Sequence, residues 1–74
     1  MGCIIFINNT SRTIDILVTG DSCFYSIIAG AKDSWNRSHS MIAFIDKNDG
    51  VGIRAMKVTA DRTYDITDTG VTCT

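Results

Sequence analysis

The sequence predicts an all-β protein, a small antiparallel β-sandwich or barrel of seven to eight short strands. Three observations predict it. Eleven Ile, four Val and nine Thr make 24 of the 74 residues β-branched, against a single Leu, and such side chains suit a pleated surface. All eight acidic residues are Asp, with no Glu, Gln or Pro, so most strong helix formers are missing. Short apolar runs recur at spacings of about nine residues, separated by turn residues, with no window of helical period.

The strands follow in order. Ile4–Ile7 is a continuous apolar run, ended by the turn cluster Asn8-Asn9-Thr10-Ser11. In Thr13–Thr19, Ile14, Ile16 and Val18 alternate with Thr13, Asp15 and Thr19, the pattern of a half-buried strand, with Leu17 apolar on the polar side. Gly20-Asp21-Ser22 breaks it. Cys23–Ile28 reads as the third strand, Cys23 being a small buried hydrophobe, and Ala29–Asp33 as the next connection. Ser34–Ser40, the longest polar stretch, is a short edge strand or a loop. Met41–Ile45 is the fifth apolar run, stopped by Lys47-Asn48-Asp49-Gly50, whose Asp-Gly step signals a hairpin. In Val51–Thr59 the alternation slips from Val51, Ile53 and Ala55 to Met56 and Val58, which predicts a bulge. After the turn Ala60-Asp61-Arg62, Thr63–Thr67 and Val71–Cys73 close the chain around Asp68-Thr69-Gly70.

No linker is long enough for a parallel crossover, so every pairing is expected to be antiparallel. Ile14, Ile16 and Val18 should share one buried face, with Phe6, Phe44 and Ile53 packed against it. The length leaves room for one domain, residues 1–74.

Several functional classes find no support. A net charge of −1, with seven bases scattered singly, gives no footprint for nucleic acid. No apolar run approaches the roughly 18 residues of a transmembrane segment. Met1-Gly2-Cys3 lacks the basic start of a secretory signal, so a cytoplasmic or other intracellular location is expected. The same three residues resemble an acylated N-terminus, but Phe6 stands where myristoylation takes Ser or Thr. Asn8, Asn9 and Asn36 each open an N-x-Ser/Thr triplet and read as polar turn residues.

The inventory of reactive groups is thin. His39 is the only histidine, and no Cys-x-x-Cys or His-x-x-x-His spacing suggests a metal. Asp46–Gly50 superficially matches a calcium loop, but a chain without Glu lacks the bidentate twelfth ligand. No nucleophile motif is present, so no catalytic residue, cofactor or enzymatic activity is expected. Trp35 stands out, set among Asp33, Asn36, Arg37 and His39. A flat ring beside amide, guanidinium and carboxylate groups suits a sugar, whose apolar face covers the ring while its hydroxyls bond the neighbours. The bland alternative is that Trp35 packs into the core from an edge strand with its N–H bonded locally. The three cysteines are an odd number. Cys3 and Cys73 sit near the two ends and can bridge to each other, pair with another chain, or stay free; an intermolecular disulfide through Cys73 or Cys3 would couple subunits.

The run Ile5-Phe6-Ile7-Asn8-Asn9-Thr10-Ser11-Arg12-Thr13-Ile14, then Tyr25-x-Ile27-x-x-Gly30 and Asp33-Ser34-Trp35-x-Arg37, resembles small all-β proteins of fungi and bacteria, among them the aegerolysin-type β-sandwiches. The resemblance covers about half the chain. It implies a sandwich, and a protein that is a lectin, a membrane-surface binder or a unit of an ordered particle. A marginal Ile-rich core, near-zero net charge and no Pro to blunt sheet edges independently favour self-association into a homo-oligomer. The alternative is a lectin-like module binding carbohydrate or a membrane surface through Trp35, Asn36, Arg37 and His39.

Overall fold

The β-branched runs form eight strands: β1 Cys3–Asn8, β2 Ile14–Val18, β3 Tyr25–Ile27, β4 Lys32–Asn36, β5 Met41–Asp46, β6 Ile53–Val58, β7 Arg62–Thr67 and β8 Gly70–Cys73. The structure, a computed structural model, describes residues 2–74. Met1, and with it the start of the Met1-Gly2-Cys3 acylation reading, lies outside the described residues. There is no helix among them. The strands make two four-stranded sheets, β4-β1-β7-β8 and β3-β2-β5-β6. They face each other as a sandwich, and neither closes into a barrel.

One pairing corrects the antiparallel expectation. β1 and β7 are parallel, with Ile4 opposite Arg62 and Asn8 opposite Ile66. The length rule for crossovers governs strands consecutive in the chain. Here β2–β6 intervene, so the return is made by five strands that visit both sheets rather than by one linker.

The core lies between the sheets. Ile4 and Phe6 of β1, Tyr64 and Ile66 of β7 and Trp35 of β4 face Ile14, Ile16 and Val18 of β2, with Ala43, Ile45 and Val58 completing the second layer. The β2 face is as expected, and so is Phe6. Phe44 and Ile53 are not in it: they are 36% and 57% exposed. Every residue of Met41–Ile45 is apolar, so its sequence leaves open which parity turns inward. Pairing with β2 decides it, setting Ala43 and Ile45 beside the inward Val18 and Ile16.

The expected bulge in β6 is also absent, since β5 and β6 pair one to one from Met41–Val58 to Asp46–Ile53. Met56 and Val58 hold the inward parity, and Ile53 and Ala55 lie on the outer face. The third strand shrinks to Tyr25–Ile27, which leaves Cys23 exposed before it rather than buried. Lys32 and Asp33, expected in a connection, begin β4, and the chain from Arg37 to Ser40 is a loop.

Two close approaches shape the ends of β1. A side chain at buried Gly2 would meet the Ala60 Cβ and the Arg37 carbonyl oxygen at 2.5 Å, so the entry to β1 fits only glycine. At the other end Asn8, expected in a turn, is the last residue of β1 and fully buried. Its Nδ2 donates to the Arg12 carbonyl at 2.9 Å and to the Ile27 carbonyl, across the sandwich in β3, at 2.8 Å. Its Oδ1 accepts from the Thr10 backbone N–H at 2.9 Å and from the Thr10 hydroxyl at 2.6 Å.

Candidate functional site

β4 is an edge strand, and alternation along it decides what its side chains can do. Trp35 pairs with Ile4 and turns inward, whereas Asn36 pairs with Cys3 on the opposite face. Trp35 is 7% exposed. Phe6 meets it edge-on with centroids 5.4 Å apart, and Tyr25 covers it at 6.4 Å. Its indole N–H donates to Asp21 Oδ2 at 2.8 Å. This is the core packing from an edge strand that the sequence offered as the alternative to a sugar platform.

Asp21 has a second task. Its Oδ1 accepts from Arg37 Nη2 at 2.9 Å. Arg37 is further held by the Thr19 carbonyl at 3.2 Å and the Asn36 carbonyl at 2.8 Å. Arg37 therefore clamps the β2–β3 connection to the end of β4 and stitches two edges of the sandwich together. A shallow recess of about 360 Å³ lies over this clamp, bringing Trp35, Asn36 and Arg37 together with Asp21, Tyr25, Asp33 and Ser34. His39 is not among its walls; it is exposed in the following loop, its Nδ1 3.0 Å from Ser38 Oγ. Tyr25 offers the recess a half-exposed ring. The Cys23 sulfur, then the Asp21 carboxylate, hold its phenol above the usual range, with Arg37 pulling the other way.

The clamp carries a prediction. Asp21→Ala removes the acceptor of a buried indole N–H and the partner of Arg37, and is expected to destabilise the fold by about 1–3 kcal/mol in chemical denaturation. A loss below about 0.5 kcal/mol would show that water replaces both bonds without penalty.

A second feature was missed by sequence reasoning. The outer face of the β4-β1-β7-β8 sheet is largely polar: Ser34, Lys32, Thr63, Asp65 and Thr72 surround the half-buried Ile5 and Ile7. The outer face of the other sheet is apolar at its centre. Leu17, Phe44 and Ala55 form one cross-strand row, flanked by Ile42 and Ile53 on β5 and β6. Ile42 is 41% exposed, and Phe24, just before β3, is exposed as well. The signal in the sequence was the pair of parities in Met41–Ile45: in a strand apolar at every position, one parity is surplus to the core.

The three cysteines are free. β7 lies between β1 and β8, and Cys73 stands opposite Tyr64, itself beside Phe6, so Cys3 and Cys73 are two strand spacings apart across the sheet and three residues apart along it, roughly 14 Å and beyond the reach of an internal bridge. Cys73 is exposed on the edge strand β8 and Cys3 is half-buried. Among the described residues, no three His, Cys, Asp or Glu gather as a metal site, and no helix is long and apolar enough to cross a membrane. Compared with protein-family models, curated proteins and solved structures, the chain has no match. Function is therefore read from the geometry.

Proposed function

We propose that this chain is a non-enzymatic β module that works by self-association, through the outer face of the β3-β2-β5-β6 sheet. The observation that carries the reading is the contrast between two outer faces, one polar and one centred on Leu17, Ile42, Phe44, Ile53 and Ala55. Contiguous apolar patches on small domains mark contact surfaces. The sheet edges are less suited: β3 has three residues and β8 four, β4 carries Lys32 and Asp33, and β6 carries Arg54 and Lys57. Short strands and edge charges oppose strand addition. Cys73 and Cys3 lie on the other sheet, so an oxidative link between chains through Cys73, or through Cys3, would form at a second contact separate from this face.

Phe44 sits at the centre of the face and outside the core, so its replacement separates association from folding. Phe44→Lys is expected to weaken association at least about tenfold in sedimentation or light scattering, with an unchanged sheet spectrum. A wild-type chain that is monomeric at every concentration, or a Phe44→Lys chain that associates as the wild type does, rejects the proposal. A second reading, lectin-like binding of carbohydrate, is favoured by the recess that gathers the half-exposed Tyr25 with Asp33, Asn36 and Arg37. Glycan binding by a monomer would favour it over association.

A further inference from the structure

The outer face of β2, β5 and β6 is charged unevenly, and the unevenness dictates how a second copy can sit on it. Strand register arranges the face in three rows. Asp15, Asp46 and Ile53 make the first, Leu17, Phe44 and Ala55 the second. In the third, Ile42 pairs with Lys57, and the Thr19 hydroxyl bonds the Ile42 carbonyl.

Asp15 and Asp46 stand directly cross-strand, where like charges repel. Their partners are all neutral. Ser26 Oγ donates to Asp15 Oδ1 at 2.6 Å, Asn48 Nδ2 to Asp15 Oδ2 at 3.3 Å, and the Asn48 backbone N–H to Asp46 Oδ1 at 2.8 Å. Diagonally across Phe44 from Asp15 lies Lys57. The two ion pairs among the described residues join Arg37 to Asp21 and Lys47 to Asp49, so Lys57 has no carboxylate of its own chain. A dent of about 200 Å³ beside Lys57, walled by Thr19 and Ile42, marks that corner.

Two copies facing each other are related by an axis lying in the interface. Three directions through Phe44 can be compared. An axis along the strands places Asp46 against its own copy and Asp15 over Ile53. An axis perpendicular to the strands places Lys57 over Ile53 and Asp46 over Ile42. An axis perpendicular to the Asp15–Lys57 diagonal places each Lys57 over the other copy's Asp15, beside Asp46, and Phe44 over Phe44. With strands about 4.8 Å apart and about 6.7 Å for every two residues, this third arrangement crosses the strands at roughly 70°, close to the near-orthogonal class of sheet packing. Of the three, it alone sets opposite charges against each other at both corners.

The geometry points to a two-fold dimer of this chain, packed face to face with crossed strands, in which each Lys57 meets the other copy's Asp15–Asp46 pair. This rests on the self-association reading and adds its architecture. Two complementary swaps test it. Lys57→Asp and Asp15→Lys each place like charges at both corners, and each alone is expected to lose at least about tenfold in dimer affinity. Mixed in equal amounts, they should restore near-wild-type affinity as a heterodimer, since each corner then again sets one lysine against two carboxylates, as in the wild-type pair. Asp46→Lys replaces Asp15→Lys if circular dichroism shows that loss of the Ser26 and Asn48 bonds disturbs the fold. Lys32→Asp, on the opposite sheet, changes the net charge equally and should leave association unchanged; an equal loss there would overturn the specific pairing. Single swaps that dimerise like the wild type overturn the crossed arrangement and leave self-association standing. A wild-type chain that is monomeric even at about 1 mM overturns both.

Discussion

Phe6→Ala is expected to lower the unfolding free energy by about 3–5 kcal/mol, the range for truncating an enclosed aromatic. Phe6 is fully buried at the middle of β1. It meets Trp35 edge-on at 5.4 Å and stacks on Tyr64 at 5.5 Å. These three rings come from three adjacent strands of one sheet, so removing the central one leaves the other two facing a void that neither can close alone. The size of the domain sharpens the result. At roughly 0.05–0.15 kcal/mol per residue, a chain of this length has about 4–11 kcal/mol in total. The variant should consequently lose a large part of its stability, read as a lower urea midpoint with little change in slope. A loss below about 1 kcal/mol would mean that the β4-β1-β7 layer repacks freely around an empty centre.

What could be read in the sequence depended on whether each strand wrote its parity in its own residues. β2 did: Asp15 between Ile14 and Ile16 marks one face as wet, and those two isoleucines with Val18 are buried as read. β5 did not, because Met41–Ile45 carries no polar residue, and its inward face was set by a partner strand remote in the chain. A shift of one residue exchanges the two faces of a strand, so the same ambiguity hid both the exposure of Phe44 and the apolar outer face built around it. The Trp35 region was legible in part. The sequence gathered Trp35, Asn36 and Arg37 because they are consecutive, but alternation sends the first two to opposite faces, and Asp21, which holds both Trp35 and Arg37, lies far back in the chain. The parallel β1–β7 pairing was invisible for a related reason: it joins elements separated by five strands, and nothing local records it.

Asn8→Ala is expected to cost about 2–5 kcal/mol, although it deletes a polar side chain from an apolar surrounding. Each buried polar group left without a partner costs roughly 1–3 kcal/mol. Asn8 serves several at once. Its amide nitrogen reaches the Ile27 carbonyl in the opposite sheet and the Arg12 carbonyl at the entry to β2, and its oxygen takes the Thr10 backbone N–H. Thr10 also donates its hydroxyl to that oxygen, and no buried side-chain polar atom among the described residues lacks a partner. Truncation orphans the Thr10 N–H and removes the direct bond from β1 to β3. Asn8→Asp separates hydrogen bonding from packing, since it keeps the shape and the accepting oxygen but replaces the donor with a second oxygen facing two carbonyls. Burial favours the neutral carboxyl there, which raises its folded-state pKa above the unfolded value. That contribution is therefore present below the unfolded pKa and lost as pH rises through the folded one. Relative to wild type, Asn8→Asp should be markedly less stable near neutral pH and recover part of the difference in acid, where its protonated oxygen donates again. Asn8→Ala should show no such recovery. If the two variants have the same pH profile, or if Asn8→Ala costs less than about 1 kcal/mol, the turn after β1 is held by its backbone bonds alone, and the junction between the two sheets does not depend on this amide.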